Sequence, residues 1–407
     1  MSGLHTIIPG MKQRALIIAI LSAALAVMLS TGIRQSFGLF LAPISESLAS
    51  GREVYSLAIA ISNLIYGLPL VGILSDRIGS RWVLAAGGLL YGGGLMALAR
   101  VTQAGGLYLT LGIAVGLALS ATTYVVVLGA VGQLVSPERR SSTFGIITAA
   151  GSSGMFVVPP LTQFLLNRFG WQTALVILGG STAVIVLLAF GLPNRPAPAP
   201  TQVEEPFIEI LKKARGHMGY LLLITGFFVC GFHVAFIATH LPAYLSDHGL
   251  SSFVGAAALS LIGGFNIVGS FLFGWLGDTF RKKYLLSLIY LGRAIVIALF
   301  LFLPLTQTSA LVFAGAIGFL WLATVPLTSG TVAQIFGARY LSTLFGIVFL
   351  SHQVGAFLGV WLGGRLYDST GSYDLVWYMA IGLGVLASLV HTPISDAPVV
   401  KTQMAGA

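Results

Sequence analysis

Two stretches of this sequence could do chemistry by virtue of their spacing. GILSDRIGSRWVL (Gly72–Leu84) and GWLGDTFRKKYLL (Gly274–Leu286) carry Gly, Leu, Asp and a closing Leu at matching positions, with basic residues crowded behind each Asp. The two aspartates are 278 − 76 = 202 residues apart. An Asp at a helix end beside cations accepts backbone N–H bonds from a neighbouring helix N-terminus and pairs with a nearby Arg. Such a latch joins two helices only in the state that brings them together. The alternative is a pair of loops that merely set topology, which accounts for the cations and leaves each Asp without a task.

The other candidates are ionisable groups inside apolar runs, where a charge costs at least about 2.5 kcal/mol. All twelve acidic residues fall in loops, tails or helix ends, so no carboxylate sits at mid-membrane, whereas Arg34 and Arg293 do lie within such runs. Arg34, in STGIRQSFGLFLAPI, has no acidic partner in its own run. A bound substrate anion would supply the counter-charge; the alternative is a side chain that snorkels to the surface or bonds carbonyls. His233 and His240 are seven apart, two helical turns, and share a face close to the position equivalent to Arg34, 34 + 202 = 236. Together they would make an electropositive wall, against the alternative of satisfied core histidines. Arg293 is expected to bond a neighbouring helix or a carbonyl instead of substrate.

The elements that must position these groups are membrane helices. The chain has 407 residues, 56% hydrophobic and 8% charged, where soluble domains carry about 25% charged residues. A spanning helix needs about 20 apolar residues. Twelve runs qualify, at about 15–42, 53–75, 83–101, 105–135, 142–167, 171–193, 219–245, 252–276, 284–306, 308–335, 342–366 and 373–394. The first is too long for the h-region of a signal peptide, which has about 7–15 residues, and is read as a retained helix. If the chain starts inside, fifteen basic residues fall in the inner connections and four (Arg52, Arg100, Arg168 and Arg365) in the outer ones. That asymmetry places both termini in the cytoplasm of a cell membrane, read as a bacterial inner membrane. It also explains the net charge of +9 without a nucleic-acid partner. The single cysteine, Cys230, excludes an internal disulfide.

The long polar stretch Pro193–Gly219 divides six runs from six, giving bundles at 1–193 and 219–407 and a cytoplasmic linker at 194–218. STFGI at Ser142–Ile146 echoes STLFGI at Ser342–Ile347; Gly154 matches Gly355 and Gly170 matches Gly371, each pair 201 apart. Both halves start on the same side, so the repeats are parallel and related by an axis along the membrane normal. No P-loop follows Gly92–Gly94, no Cys/His spacing fits a metal, and no hydrolytic triad is assembled, so neither enzyme, cofactor nor ATP-driven pump is indicated.

Gly72, Leu74, Ser75, Asp76, Arg77, Gly79, Arg81 and Leu84, with the weaker second copy, resemble the signature of the major facilitator superfamily of secondary transporters. The resemblance implies an all-α membrane fold of twelve helices in two pseudo-symmetric bundles, working as a monomer by rocker-switch alternating access. It implies that Asp76 with Arg77 and Arg81, and Asp278 with Arg281 and Lys282, form an inner gate of the outward-facing state. Helices one, four, seven, eight and eleven line the cavity in that family. This places Arg34, Tyr124, His233, His240, Asn266, His352 and Gln353 as candidate substrate contacts, several able to hydrogen-bond a carboxylate; for each of the polar ones singly, the alternative is packing or a helix–helix bond.

Within the superfamily, the first helix resembles the monocarboxylate and oxalate–formate branch, which has a basic residue in a comparable stretch. That branch carries an Arg, often with an Asp, in helix eight, where this chain offers Asn266 and no charge. One cavity Arg, several His and no acid fit a small organic anion, taken by exchange or by proton symport with His titrating. The alternatives are an organophosphate exchanger, which usually uses two opposed arginines, an exporter of drug-like metabolites, or a sensor that no longer transports.

Overall fold

The computed structural model describes residues 9–68, 70–132, 134–135, 137–193, 212–336 and 341–398; most of the 194–218 linker therefore lies outside the described residues. Within them every regular element is a helix. This is the expected solution for an apolar chain, because in hydrocarbon each backbone N–H and C=O must be bonded within its own segment. Ten helical stretches are long and apolar enough to cross a membrane. One of these, Thr143–Ala189, has 47 residues, room for two crossings of about 20 residues each.

The first half contains α1 (Pro9–Gln35), a 3-10 turn (Ser36–Phe40), α2 (Leu41–Ser47), α3 (Arg52–Tyr66), α4 (Leu70–Ile78) and α5 (Ser80–Leu98). It continues with α6 (Ala104–Leu107), a π-helical stretch (Tyr108–Ala114), α7 (Val115–Thr122), α8 (Tyr124–Gly132), α9 (Pro137–Ser181) and α10 (Ala183–Ala189). The second half contains α11 (Met218–Asp247), α12 (Ser252–Thr279), α13 (Lys282–Phe302), α14 (Gln307–Phe319), α15 (Thr324–Phe336), α16 (Leu341–Thr370) and α17 (Asp374–His391). Buried apolar side chains fall into two clusters, one drawn mainly from Ala19 to Leu192 and the other from Ala214 to Ile394. They meet where α3 packs on α16 and α9 on α12.

The internal repeat is visible as geometry. Gly170 and Gly371 both take positive φ, 77° and 72°, the left-handed region that only glycine enters cheaply. Gly170 bends α9 there. Gly154 is pressed against the backbone of Met28 and Gly355 against that of Phe228, so each half brings its fifth helix onto its first at the same place. Arg81 donates to the Leu192 carbonyl, and Lys283 to that of Ile394. The offsets agree, 283 − 81 = 202 and 394 − 192 = 202.

Each half also contains a broken helix at the corresponding depth. The backbone of Thr123 is extended between α7 and α8, and residues 320–323 interrupt α14 and α15. Paired interruptions of this kind point to the binding region of a repeat-built transporter. The second break explains the intramembrane Arg293. Its Nε and Nη2 donate to the Leu320 carbonyl at 3.1 and 2.7 Å, and Nη2 also donates to that of Trp321. The guanidinium therefore sits at the negative end of the α14 dipole and satisfies its last carbonyls, as expected for a carbonyl-bonded arginine. Asn266 accepts from the backbone N–H of Leu322 on the other side of the same break, at 2.9 Å.

Arg293→Met is expected to cost about 1–3 kcal/mol of stability, because it leaves the Leu320 and Trp321 carbonyls without their donor. Thermal melting of the purified variant in detergent checks this; an unchanged midpoint would contradict the capping role.

Candidate substrate crevice and gates

Arg34 lies in the last turn of α1 and is half-buried. Its Nη2 donates to Asn63 Oδ1 at 2.7 Å, and the guanidinium lies 5.2 Å from the Tyr66 ring centroid. The side chain is not unpartnered, as the sequence suggested, but its partner is neutral. Among the described residues no carboxylate pairs with it. A guanidinium has five N–H donors, and Asn63 takes one of them, so capacity for a carboxylate remains. Tyr124, the first residue after the α7–α8 break, is half-buried and lies within reach of the Arg34 charge.

The second half meets this corner through α16. Tyr66 packs edge-on against Phe349 at 5.8 Å, and Phe349 stacks on His352 at 5.7 Å with planes 7° apart. His352 Nδ1 lies 3.2 Å from Gln353 Oε1. Gln353 Nε2 is buried with no hydrogen-bond partner among the described residues, and its stem packs beside Gly67 at the end of α3. Arg34, Tyr124, His352 and Gln353 are thus brought to one neighbourhood at the junction of the halves. Asn63, Tyr66 and Phe349 were missed by sequence reading. Of these, Asn63 left a signal, a lone amide within the apolar run AISNLIYG.

Three other expectations are corrected. His240 is fully buried, with Nδ1 3.1 Å from the Tyr373 hydroxyl and Nε2 2.9 Å from the Val360 carbonyl. His233 is buried and its Nε2 donates to the Ala380 carbonyl at 2.7 Å. The two histidines share a face, but that face is turned toward α16 and α17 inside the second bundle, where they hold helices together and form no electropositive wall. Asn266 donates to Ser152 Oγ at 3.1 Å, and its Oδ1 accepts from Leu322 N and from Ser270 Oγ. It is a strut between α12 and α9, with its carbonyl oxygen and one amide proton already engaged.

One end of the molecule is closed by charges that cross between the halves. Arg52, at the start of α3, makes a bidentate pair with Asp247 at 2.6 Å for each bond and donates to the Tyr373 hydroxyl at 2.9 Å. Its guanidinium lies 3.9 Å from the Tyr367 ring centroid. Asp368 accepts the backbone N–H groups of Arg52 and Glu53, so a carboxylate of the second half caps a helix of the first. Glu53 in turn accepts from Arg365 and Trp361.

The opposite end holds the doubled motif, and among the described residues Asp278 is not paired with Arg281 or Lys282 there. Arg81 bonds the Leu192 carbonyl of its own half, Arg77 is exposed, and the Asp76 side chain lies outside the described residues. Arg281 pairs with Asp396 at 2.6 Å, Lys282 lies 3.5 Å from Gln334 Oε1, and Asp278 is exposed with no ion pair among the described residues. The Arg281 hydrogen bond holds the Asp396 carboxyl below the usual carboxylate range, so this pair persists at neutral pH and is lost only as pH falls through that lowered value. A cavity of about 400 Å³ opens here, bordered by Asp278, Arg281, Lys282, Gln334 and Asp396. α4, which carries Asp76, packs on α5, α7 and α8 of its own half.

A repeated helical bundle with paired broken helices, charges closing one end and an embedded arginine where the halves meet is the architecture of a secondary transporter. The chain belongs to the major facilitator superfamily: the family's sequence profile matches residues 21–343 and 268–403. It is 30% identical over 391 residues to monocarboxylate transporter 13 of Rattus norvegicus, covering 91% of this chain and 88% of the relative. It is 27% identical over 380 residues to the MFS-type transporter YcxA of Bacillus subtilis, covering 88% and 90%. Human monocarboxylate transporter 12 is 28% identical over 358 residues, covering 79% and 68%. The fold matches that of a bacterial homolog of the human lysosomal transporter Spinster with a TM-score of 0.70 at 15% identity, over 93% of this chain and 96% of that one.

Arg52→Gln is expected to leave Asp247 and the two tyrosines without their shared cation and to loosen this end. A cysteine placed at Ser50 in a Cys230→Ser background should then react several-fold faster with a water-soluble maleimide. An unchanged rate would show that helix packing alone closes it.

Proposed function

We propose that the protein is a secondary active transporter of a small organic anion of the monocarboxylate type. The observation that carries this reading is Arg34, a membrane-embedded cation with a neutral amide partner, at the junction of the two halves. An anionic substrate supplies the charge that Asn63 does not, and a carboxylate accepts two of its free N–H groups in one bidentate contact. The names of the relatives are consistent with this class.

In this reading twelve crossings form two rocking bundles, 1–193 and 219–407, joined by the cytoplasmic linker 194–218. The basic excess on the motif side makes that side cytoplasmic, with both termini there. The Arg52 end is then the outer end. The outer gate is then the one held by Arg52, Asp247, Glu53, Arg365 and Asp368, which supports reading the state as inward-open. In the second copy of the motif Arg281 is held by Asp396 and not by Asp278, as expected of an inward-open state. Tyr124, His352 and Gln353 contribute hydrogen bonds around the substrate, and the unpartnered Gln353 Nε2 is a donor without an assigned acceptor. Coupling runs by exchange or by proton symport. Of the three candidate histidines, His352 alone adjoins the crevice, so it is the one placed to carry a proton. The protein works as a monomer in a bacterial inner membrane and uses no cofactor.

Thermal stabilisation by a panel of monocarboxylates tests the substrate class. A stabilising acid is expected to lose its effect in Arg34→Gln, and an effect of undiminished size would remove Arg34 from the site. For coupling, His352→Gln is expected to abolish uptake driven by a pH gradient while counterflow exchange persists. His233→Gln and His240→Gln should lower thermal stability and leave driven uptake in the folded fraction intact. Driven uptake that survives His352→Gln would exclude His352 as the proton carrier.

A further inference from the structure

The residues that follow α17 lie across the motif end of the second half as a strap. Ile394 is fully buried and its carbonyl accepts from Lys283 Nζ at 2.9 Å. The Asp396 carbonyl accepts from Gln334 Nε2 at 3.0 Å, and the Asp396 carboxylate accepts from Arg281 Nη2 at 2.6 Å. Gly219, at the start of α11, lies against the backbone of Ser395. The strap is therefore pinned to the ends of α11, α13 and α15 and to the motif loop before α13.

Half of this arrangement is common to both repeats and half is not. The bond from the last motif cation to the segment after the sixth helix of each half recurs as Arg81 to Leu192 and Lys283 to Ile394. The ion pair has no counterpart. Positions 281 − 202 = 79 and 396 − 202 = 194 are Gly79 and Asn194, both uncharged. The recurrent bond serves the fold, while Arg281–Asp396 is an addition found only in the second half, and it engages the guanidinium of the two cations, Arg281 and Lys282, that the motif sets beside Asp278.

We propose that Asp396 is a positioning residue of the inner gate: it withdraws Arg281 from Asp278 while that end is open, so that the tail and the gate compete for one guanidinium. This rests on the alternating-access reading above, but not on the identity of the substrate. Closing the inner end then requires Arg281 to exchange Asp396 for Asp278, and the strength of the tail pair sets the balance between the two states.

The test measures conformational population in substrate-free full-length protein. Spin labels at Leu134→Cys and Gly346→Cys, in a Cys230→Ser background, report the separation of the halves at the motif end. Asp396→Asn is expected to raise the closed population about threefold, the scale of a modest bias on a two-state equilibrium. Arg281→Gln, which breaks the same pair from the other side, is expected to produce no such rise, because it also removes the cation that Asp278 needs. A pair that only braces the fold would make the two variants behave alike. The proposal is overturned if both shift the distribution in one direction, if Asp396→Asn leaves it unchanged, or if Asp396→Asn does not fold. Failure of Arg34→Gln to affect carboxylate binding would overturn the substrate class and leave this result untouched.

Discussion

A guanidinium held inside an apolar bundle without a carboxylate is the constraint from which the account follows. Burying a charge is costly unless it is paired, and the helix interiors of this chain contain no acid to pair it with. Arg293 answers it in part, with three hydrogen bonds to the Leu320 and Trp321 carbonyls, while its Nη1 is buried without a partner among the described residues. Arg34 has one hydrogen bond, to the Asn63 amide, and the face of Tyr66, and it lies where the two halves meet. In the proposed reading, this difference separates a structural cation from one that receives the substrate.

The second theme is the division of charge between the two ends. At the Arg52 end, acids and bases pair across the halves, and a carboxylate of one half caps a helix of the other. At the motif end, the pairs found among the described residues stay within a half: Arg81 with the Leu192 carbonyl and Arg281 with Asp396. Between the two ends, the halves are also joined by Ser260 with Phe156 and Asn266 with Ser152. In the proposed alternating-access cycle, exchanging which end is fastened would turn the site at Arg34 to the opposite side.

Much of this was legible in the sequence, for physical reasons that can be named. The repeat was readable because parallel halves impose the same backbone demands on both copies, so Gly170 and Gly371 share positive φ, and Gly154 and Gly355 share a close approach. Arg34 stood out because charge in lipid is rare. The histidines were misread because seven-residue spacing fixes which residues share a face but not which neighbour that face meets; His233 and His240 turned inward to α16 and α17. Asn266 was misread for a related reason. A mid-depth amide satisfies a broken helix as readily as a ligand, and the break at 320–323 leaves only a faint trace in composition. The motif partners were hidden because Asp396 lies 396 − 281 = 115 residues from Arg281, in a tail with no helical pattern to place it.

The central claim is that Arg34 receives the anion. Solid-state NMR on protein with guanidinium-labelled arginine, reconstituted in lipid with a carboxyl-labelled monocarboxylate, measures that contact directly. The account predicts a carboxyl-to-guanidinium coupling at hydrogen-bond range that disappears in Arg34→Gln. A bound carboxylate whose coupling persists in that variant, or that shows no arginine contact at all, would contradict it.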